Sequence, residues 1–299
     1  GEVEQVVYSP DARWLATISD ERINLWRRDN RHIVDALDGD PPNGVVFSRD
    51  SAHLLSHASS EQTARVWDLR GLADGMVFRA PSEGVKRVFG GCDLGQVLAF
   101  GKDGTLRSWD CSDGRPVAER RLSTLQILDI EIDAALTRAA YLDEKGGVWV
   151  TSLVEGQPRK LGVHPRLGWR VGFSPDGRHL ISTGYDRTAH IWDLVGAAPP
   201  VVLMGHTSPV VWDAAWSPDG ATIATIANDT SVRIWSVGSA LADSRRGPTV
   251  LQASQVLTGH KRGAKTVAFS PDGTRVLTSS PDSTARIWDP LGVAAPVVL

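Results

Sequence analysis

The chain has 299 residues, of which 41% are hydrophobic and 22% charged, with a formal net charge of −3. This composition excludes wholesale disorder, no apolar run reaches the ~18–20 residues of a membrane helix, and the acidic balance speaks against a nucleic-acid binder driven by phosphate charge. Two cysteines, Cys92 and Cys111, are too few for a disulfide framework and fit a reducing, cytoplasmic setting.

In chain order, one pattern recurs. A short apolar strand ends in an aromatic residue and serine: VVYS (6–9), VVFS (45–48), VGFS (171–174), AAWS (214–217) and VAFS (267–270). A turn follows, Pro10-Asp11 in the first case and Pro175-Asp176-Gly177, Pro218-Asp219-Gly220 and Pro271-Asp272-Gly273 in later ones. Proline fixes φ while Asp and Gly accept turn geometry, so each is a hairpin signal. A second strand such as HLISTG (179–184) leads to a turn around an Asp, then to a strand ending in Trp, then to a Val/Leu-rich strand such as PPVVL (199–203).

Six of the eleven tryptophans occupy the same slot: Trp26, Trp67, Trp109, Trp192, Trp235 and Trp288. Their spacings are 41, 42, 83, 43 and 53 residues, and the double interval places Thr151 where a seventh Trp would stand. Trp149, two residues earlier on the same strand face, is positioned to fill part of that gap. Four short strands per unit and no sustained helical period predict an all-β fold of seven four-stranded antiparallel sheets. One such sheet cannot bury both faces, but seven stacked around an axis can. The expectation is a single seven-bladed β-propeller over 1–299, with blades at approximately 2–38, 39–80, 81–122, 123–162, 163–204, 205–256 and 257–299. The segment Val237–Ser254, around Arg245-Arg246-Gly247-Pro248, reads as an inserted exposed loop of the sixth blade.

On these residues the chain resembles the WD-repeat family. Trp-Asp stands at 67–68, 109–110, 192–193 and 288–289, Gly-His at 205–206 and 259–260, and Val163-His164 in the same slot. The resemblance implies buried sets of His, hydroxyl, Asp and Trp within blades. By position these are His164, Thr183, Asp186 and Trp192; His206, Asp229 and Trp235, with Ile226 in place of the hydroxyl; and His260, Ser279, Asp282 and Trp288. The first four repeats lack the His, so their interiors are expected to be less polar.

A His–hydroxyl–Asp set looks like nucleophilic machinery, but its recurrence in separate blades fits structural hydrogen bonding. The remaining histidines show no metal-ligand spacing, and no nucleotide-binding motif is present. The reading is therefore a non-catalytic protein or peptide interaction or sensor scaffold, with no metal, no cofactor and no membrane contact. In the family it resembles, partners dock on the face near the central channel, and the positions that point there are Trp169, Tyr185, Trp212, Asn228 and Lys265. The alternative is a propeller enzyme or small-ligand binder using the channel, with Glu4 and Glu144 as candidates. The absence of an initiator Met, ends that fall within the repeat rhythm, and six Lys against 26 Arg suggest the propeller part of a larger bacterial signalling protein.

Overall fold

The computed structural model describes residues 3–19, 22–27, 33–37, 44–58, 63–70, 73–79, 84–91, 95–196, 198–243 and 249–299. The chain is a seven-bladed β-propeller whose sheets are built on four antiparallel strands, one of them joined by a fifth. It divides into two compact units, Val3–Thr124 and Leu125–Leu299. The first holds blades one to three, running from Val3–Tyr8 to Ile33–Leu37, from Gly44–Phe47 to Ala73–Arg79, and from Val85–Gly91 to Pro116–Arg121. The second holds blades four to seven, whose innermost strands are Ile127–Ile132, Gly168–Phe173, Val211–Trp216 and Thr266–Phe269.

In five of the blades the hairpin after the first strand is closed by a serine. Ser9 Oγ donates to Asp11 at 2.6 Å and accepts from the Trp14 N–H at 2.9 Å. Ser48, Ser174, Ser217 and Ser270 repeat the arrangement, which explains why these hydroxyls are buried. In blade four Asp133 does the work itself, accepting from the Thr137 and Arg138 N–H groups and pairing with the Arg138 guanidinium at 2.8 Å. The third turn residue has positive φ in all six of these hairpins. Gly177, Gly220 and Gly273 adopt it freely, whereas Ala12, Ser51 and Leu136, at φ 58°, 60° and 54°, carry a Cβ into it.

The core lies between neighbouring blades of each unit. In the first unit Ile18 and Leu25 of blade one meet Phe47, Leu54 and Trp67 of blade two, and Leu55 and Phe78 of blade two meet Val97 and Trp109 of blade three. In the second, Leu142 and Val148 meet Trp192, Ile191 and Leu203 meet Trp235, and Ile234 and Leu257 meet Trp288. Polar side chains stitch adjacent blades too: Gln5 accepts from and donates to the Val45 backbone, Asp129 accepts from Val171 N–H, and Asp213 from Val267 N–H.

Two expectations are corrected here. The insertion in the sixth blade is not a plain loop. It forms a short helix, Gly238–Asp243, and a strand, Thr249–Leu251, that pairs in parallel with Val201–Met204 and makes the fifth blade five-stranded. Val237 and Ala240 are buried against Trp235, so an otherwise open sheet edge is covered; Arg245-Arg246-Gly247-Pro248 lies outside the described residues. Cys111 is disulfide-bonded, and no cysteine is free among the described residues, so the count of two did not mean reduced thiols and the argument for a reducing compartment falls. The Cys111 N–H donates to Gly95 O, which puts it three residues along the chain from the other cysteine, Cys92, itself outside the described residues. Among the described residues no helix is long and apolar enough to cross a membrane.

Candidate functional site

Blades five, six and seven each bury one polar chain. His164 Nδ1 lies 2.9 Å from Asp186 and its Nε2 2.7 Å from Ser182 Oγ, which also accepts from Trp192 Nε1 at 2.7 Å. His206, Asp229, Thr225 and Trp235 repeat this set, as do His260, Asp282, Thr278 and Trp288. The hydroxyl, accepting from the indole, gives its hydrogen to Nε2, and Nδ1–H then donates to the carboxylate. Burial works to raise the Asp186 carboxyl, but hydrogen bonds from His164 and Thr188 outweigh it and hold it at about 2. Asp229 and Asp282 are held well below the ordinary carboxylate range by the same balance.

The hydroxyl is therefore not Thr183 or Ser279, and blade six does not lack one at Ile226. Trp192 sits opposite Leu180 in the sheet, Trp235 opposite Ile223 and Trp288 opposite Val276. Alternate residues share a sheet face, so the indole meets the side chain two positions beyond its partner, at Ser182, Thr225 or Thr278. Thr183, Ile226 and Ser279 face the other way: Thr183 Oγ1 is buried without a hydrogen-bond partner, and Ser279 bonds Thr266 instead. The same rule accounts for Trp26 donating to Thr17 and Trp67 to Ser56, so blades without the histidine keep half of the set.

Blades three and four were expected to be less polar inside, but they use other donors. Arg107, two residues before Trp109, forms an ion pair with the turn residue Asp103 at 2.6 Å. Trp149, two residues before Thr151, donates its Nε1 to Asp143 at 2.7 Å and stacks on Tyr141 with the ring planes 9° apart. The same offset holds His190 in blade five and Arg233 and Arg286 in blades six and seven. A Cβ at Gly205 or Gly259 would crowd these arginines, at 2.8 and 2.7 Å. Blade five has the smaller His190 and tolerates Val163 in that slot, while Gly162 makes the close contact with the Trp192 ring.

His190 also brings three potential ligand groups together, since donor atoms of His164, Asp186 and His190 fall within 4.8 Å. They are already occupied: His164 uses both nitrogens, and His190 Nε2 lies 3.0 Å from Thr188 Oγ1. A cation here would have to break the His164–Asp186 bond, and the arrangement serves packing of the Trp192 strand. Burial pushes His190 down to about 4.

The five surface positions converge. Trp169, Tyr185 and Trp212 form three edge-to-face pairs, with centroids 5.7 Å apart for Trp169–Tyr185, 4.9 Å for Trp169–Trp212 and 6.4 Å for Tyr185–Trp212. Trp212 Nε1 donates to Asn228 Oδ1 at 2.6 Å, and Lys265 Nζ lies 5.7 Å from the Trp212 ring. Both tryptophans sit at a break in strand register, Trp169 between Gly168 and Arg170 and Trp212 between Val211 and Asp213. A bulge takes a side chain out of the pleat and re-aims it, which brings these two rings toward one another. Trp169 is 39% exposed, while Trp212 packs in part against the cluster of Ile234, Val267 and Trp288. Of the channel candidates, Glu144 is exposed and the Glu4 side chain lies outside the described residues.

Comparison with known proteins agrees with this architecture. Residues 161–193, 198–236 and 251–289 match the WD domain, G-beta repeat family, and these are the blades with the complete histidine sets. The chain is 25% identical over 285 residues to "Apoptotic protease-activating factor 1" of Rattus norvegicus, a match covering 94% of this chain and 21% of that protein. It is 26% identical over 286 residues to "Nuclear distribution protein PAC1" of Arthroderma benhamiae, covering 87% and 60% respectively. With "Target of rapamycin complex subunit wat1" of Schizosaccharomyces pombe it shares 24% identity over 205 residues, 64% of each chain. The chain thus spans about a fifth of the apoptotic factor's length. Three segments of the chain match WD40 repeats, and they fall within a fold of seven sheets.

Proposed function

We propose that this chain is a non-catalytic interaction module that docks a protein or peptide on the cluster of Trp169, Tyr185, Trp212, Asn228 and Lys265. The observation that carries the reading is the convergence of three rings, an amide and a cation from three successive blades, with Trp169 and Trp212 at bulged strand positions. Clustered aromatic side chains at a surface are the composition of interaction hot spots, and rings locked edge-to-face lose little entropy on binding. The name of one similar protein, a subunit of the target of rapamycin complex, fits a role in assembly. The His–Asp pairs support the non-catalytic part of the reading, because each is consumed within its own blade by an indole-bound hydroxyl.

A displayed library of random short peptides, selected on the whole chain, tests this. Selected peptides should lose binding to Trp169→Ala while the melting temperature stays within a degree or two of the parent, as for surface changes generally. Retained binding with a lowered melting temperature would assign the rings to packing and overturn the proposal.

A further inference from the structure

The ring cluster is bordered by cations. At the same end of the second unit lie Lys145, Arg166, Arg187, Lys261, Arg262 and Lys265, all exposed, against one exposed carboxylate, Glu144. Lys145, Arg166 and the 44%-exposed Leu167 line a depression with Tyr185. On the far side, Gly263 lies against Asn228 so closely that a Cβ there would sit 2.5 Å from the Asn228 Cα, which brings the segment of Lys261, Arg262 and Lys265 to the rings. Between them, Arg187 N–H donates to Pro209 O. The rim is therefore one arc running from blade four to blade seven.

The carboxylates of the same turns do not face a ligand. Asp186, Asp229 and Asp282 point inward, each accepting hydrogen bonds from a histidine and from neighbouring N–H or hydroxyl groups. Among the described residues none of the six cations forms an ion pair. In a chain of net charge −3, unpaired cations gathered around an apolar centre are a local reversal of sign. Long cationic side chains without a carboxylate partner add little stability to the fold, and their contribution is to long-range attraction and partner choice.

Resting on the docking role above, we infer that the partner segment is an acidic peptide: Asp- or Glu-rich, with an apolar or aromatic residue to seat against Trp169 and Leu167. A single nucleic-acid strand also pairs cations with rings, but it needs free ring faces for its bases. Here the three rings cover one another's faces edge-on, Lys265 lies over Trp212, and the Trp212 N–H is taken by Asn228, so few stacking faces are left.

The peptides selected as above carry the test. They should be enriched in Asp and Glu around an apolar residue, and their affinity should fall steeply as salt is raised. Lys265→Glu and Arg262→Glu should each weaken them by about tenfold, with Lys265→Arg close to the parent. Peptides that depend on Trp169 but are neutral or basic, or that ignore both charge reversals, would sink the acidic inference and leave the docking role standing. Peptides indifferent to Trp169 would sink both. Tighter binding of an oligothymidylate than of any acidic peptide would also overturn the inference.

Discussion

Blades five to seven and blades three and four solve one problem in two ways. In blades three to seven the chain turns between the second and third strands, and an aspartate at or near that turn accepts backbone N–H groups and is drawn into low dielectric. In blades five to seven a histidine from the loop before the blade supplies the balancing donor; in blade three it is Arg107 and in blade four Trp149, both from the blade's own third strand. The difference teaches that the fold requires a donor to the buried carboxylate and not a histidine as such. It also explains why the family match stops at residue 161 while the propeller does not.

The largest effect should come from stripping either donor. His206→Ala leaves Asp229 buried beside hydroxyl and N–H groups alone, a loss of about 3–5 kcal/mol; Arg107→Met, freeing the more exposed Asp103, should lose about 2–3 kcal/mol. Urea unfolding would show it, and a negligible loss for Arg107→Met would break the equivalence of the two solutions.

Acid comes next. Burial holds His57, in the first unit, and His190, in the second, each down to about 4 against an ordinary 6.5. Below pH 6.5 the unfolded chain takes up protons that the folded chain refuses, so stability falls as the pH drops from about 6.5 to 4, by at most about 3 kcal/mol per histidine. The depressed aspartates act lower, their contribution fading below the ordinary carboxylate value as pH approaches that of the folded state. His190→Gln should flatten the upper part of this decline, whereas Arg233→Gln in blade six should not; identical pH profiles for the two would remove His190 from the account.

A smaller test sharpens the register. Ser182→Ala strands both the Trp192 N–H and His164 Nε2 and should cost about 1–3 kcal/mol. Thr183→Ala removes a hydroxyl that has no partner and should be close to neutral or slightly stabilising. The opposite order in thermal melts would return the hydroxyl to the position expected from sequence.

The smallest effect concerns blade four, whose first hairpin holds Leu136 at φ 54° where blades five to seven have glycine. Relief of the left-handed strain, offset by the freedom glycine adds to the unfolded chain, should make Leu136→Gly more stable by about 0.5–1 kcal/mol. A loss would mean that the Leu136 side chain contributes more by packing than its backbone costs.

Much of the molecule was legible because it repeats. The spacing of tryptophans, with Thr151 in the empty slot, counted seven blades, and the Ser-Pro-Asp-Gly turns located the hairpins; such signals are local, depending on φ preferences and on one side chain bonding its own turn. The positions of Trp169, Tyr185 and Trp212 followed from aligning the repeats and from what the family resemblance implies about the partner-facing positions. What escaped was everything with a cross-strand partner. A slip of one residue in pairing moves a side chain to the other face, so Thr183 and Ser279 were mistaken for Ser182 and Thr278, and Ile226 hid Thr225.

Sequence by itself determined the all-β class and the number of blades, because periodicity and turn chemistry are written in short stretches of chain. Only the tertiary structure decided which hydroxyl meets each indole, which donor answers each buried aspartate, and that an inserted strand, Thr249–Leu251, would join the neighbouring blade. It also decided that bulges would bring Trp169 and Trp212 edge-to-face. Each of these depends on what lies across a sheet or in the next blade, tens of residues away, and is settled by burial and hydrogen-bond satisfaction rather than by local preference.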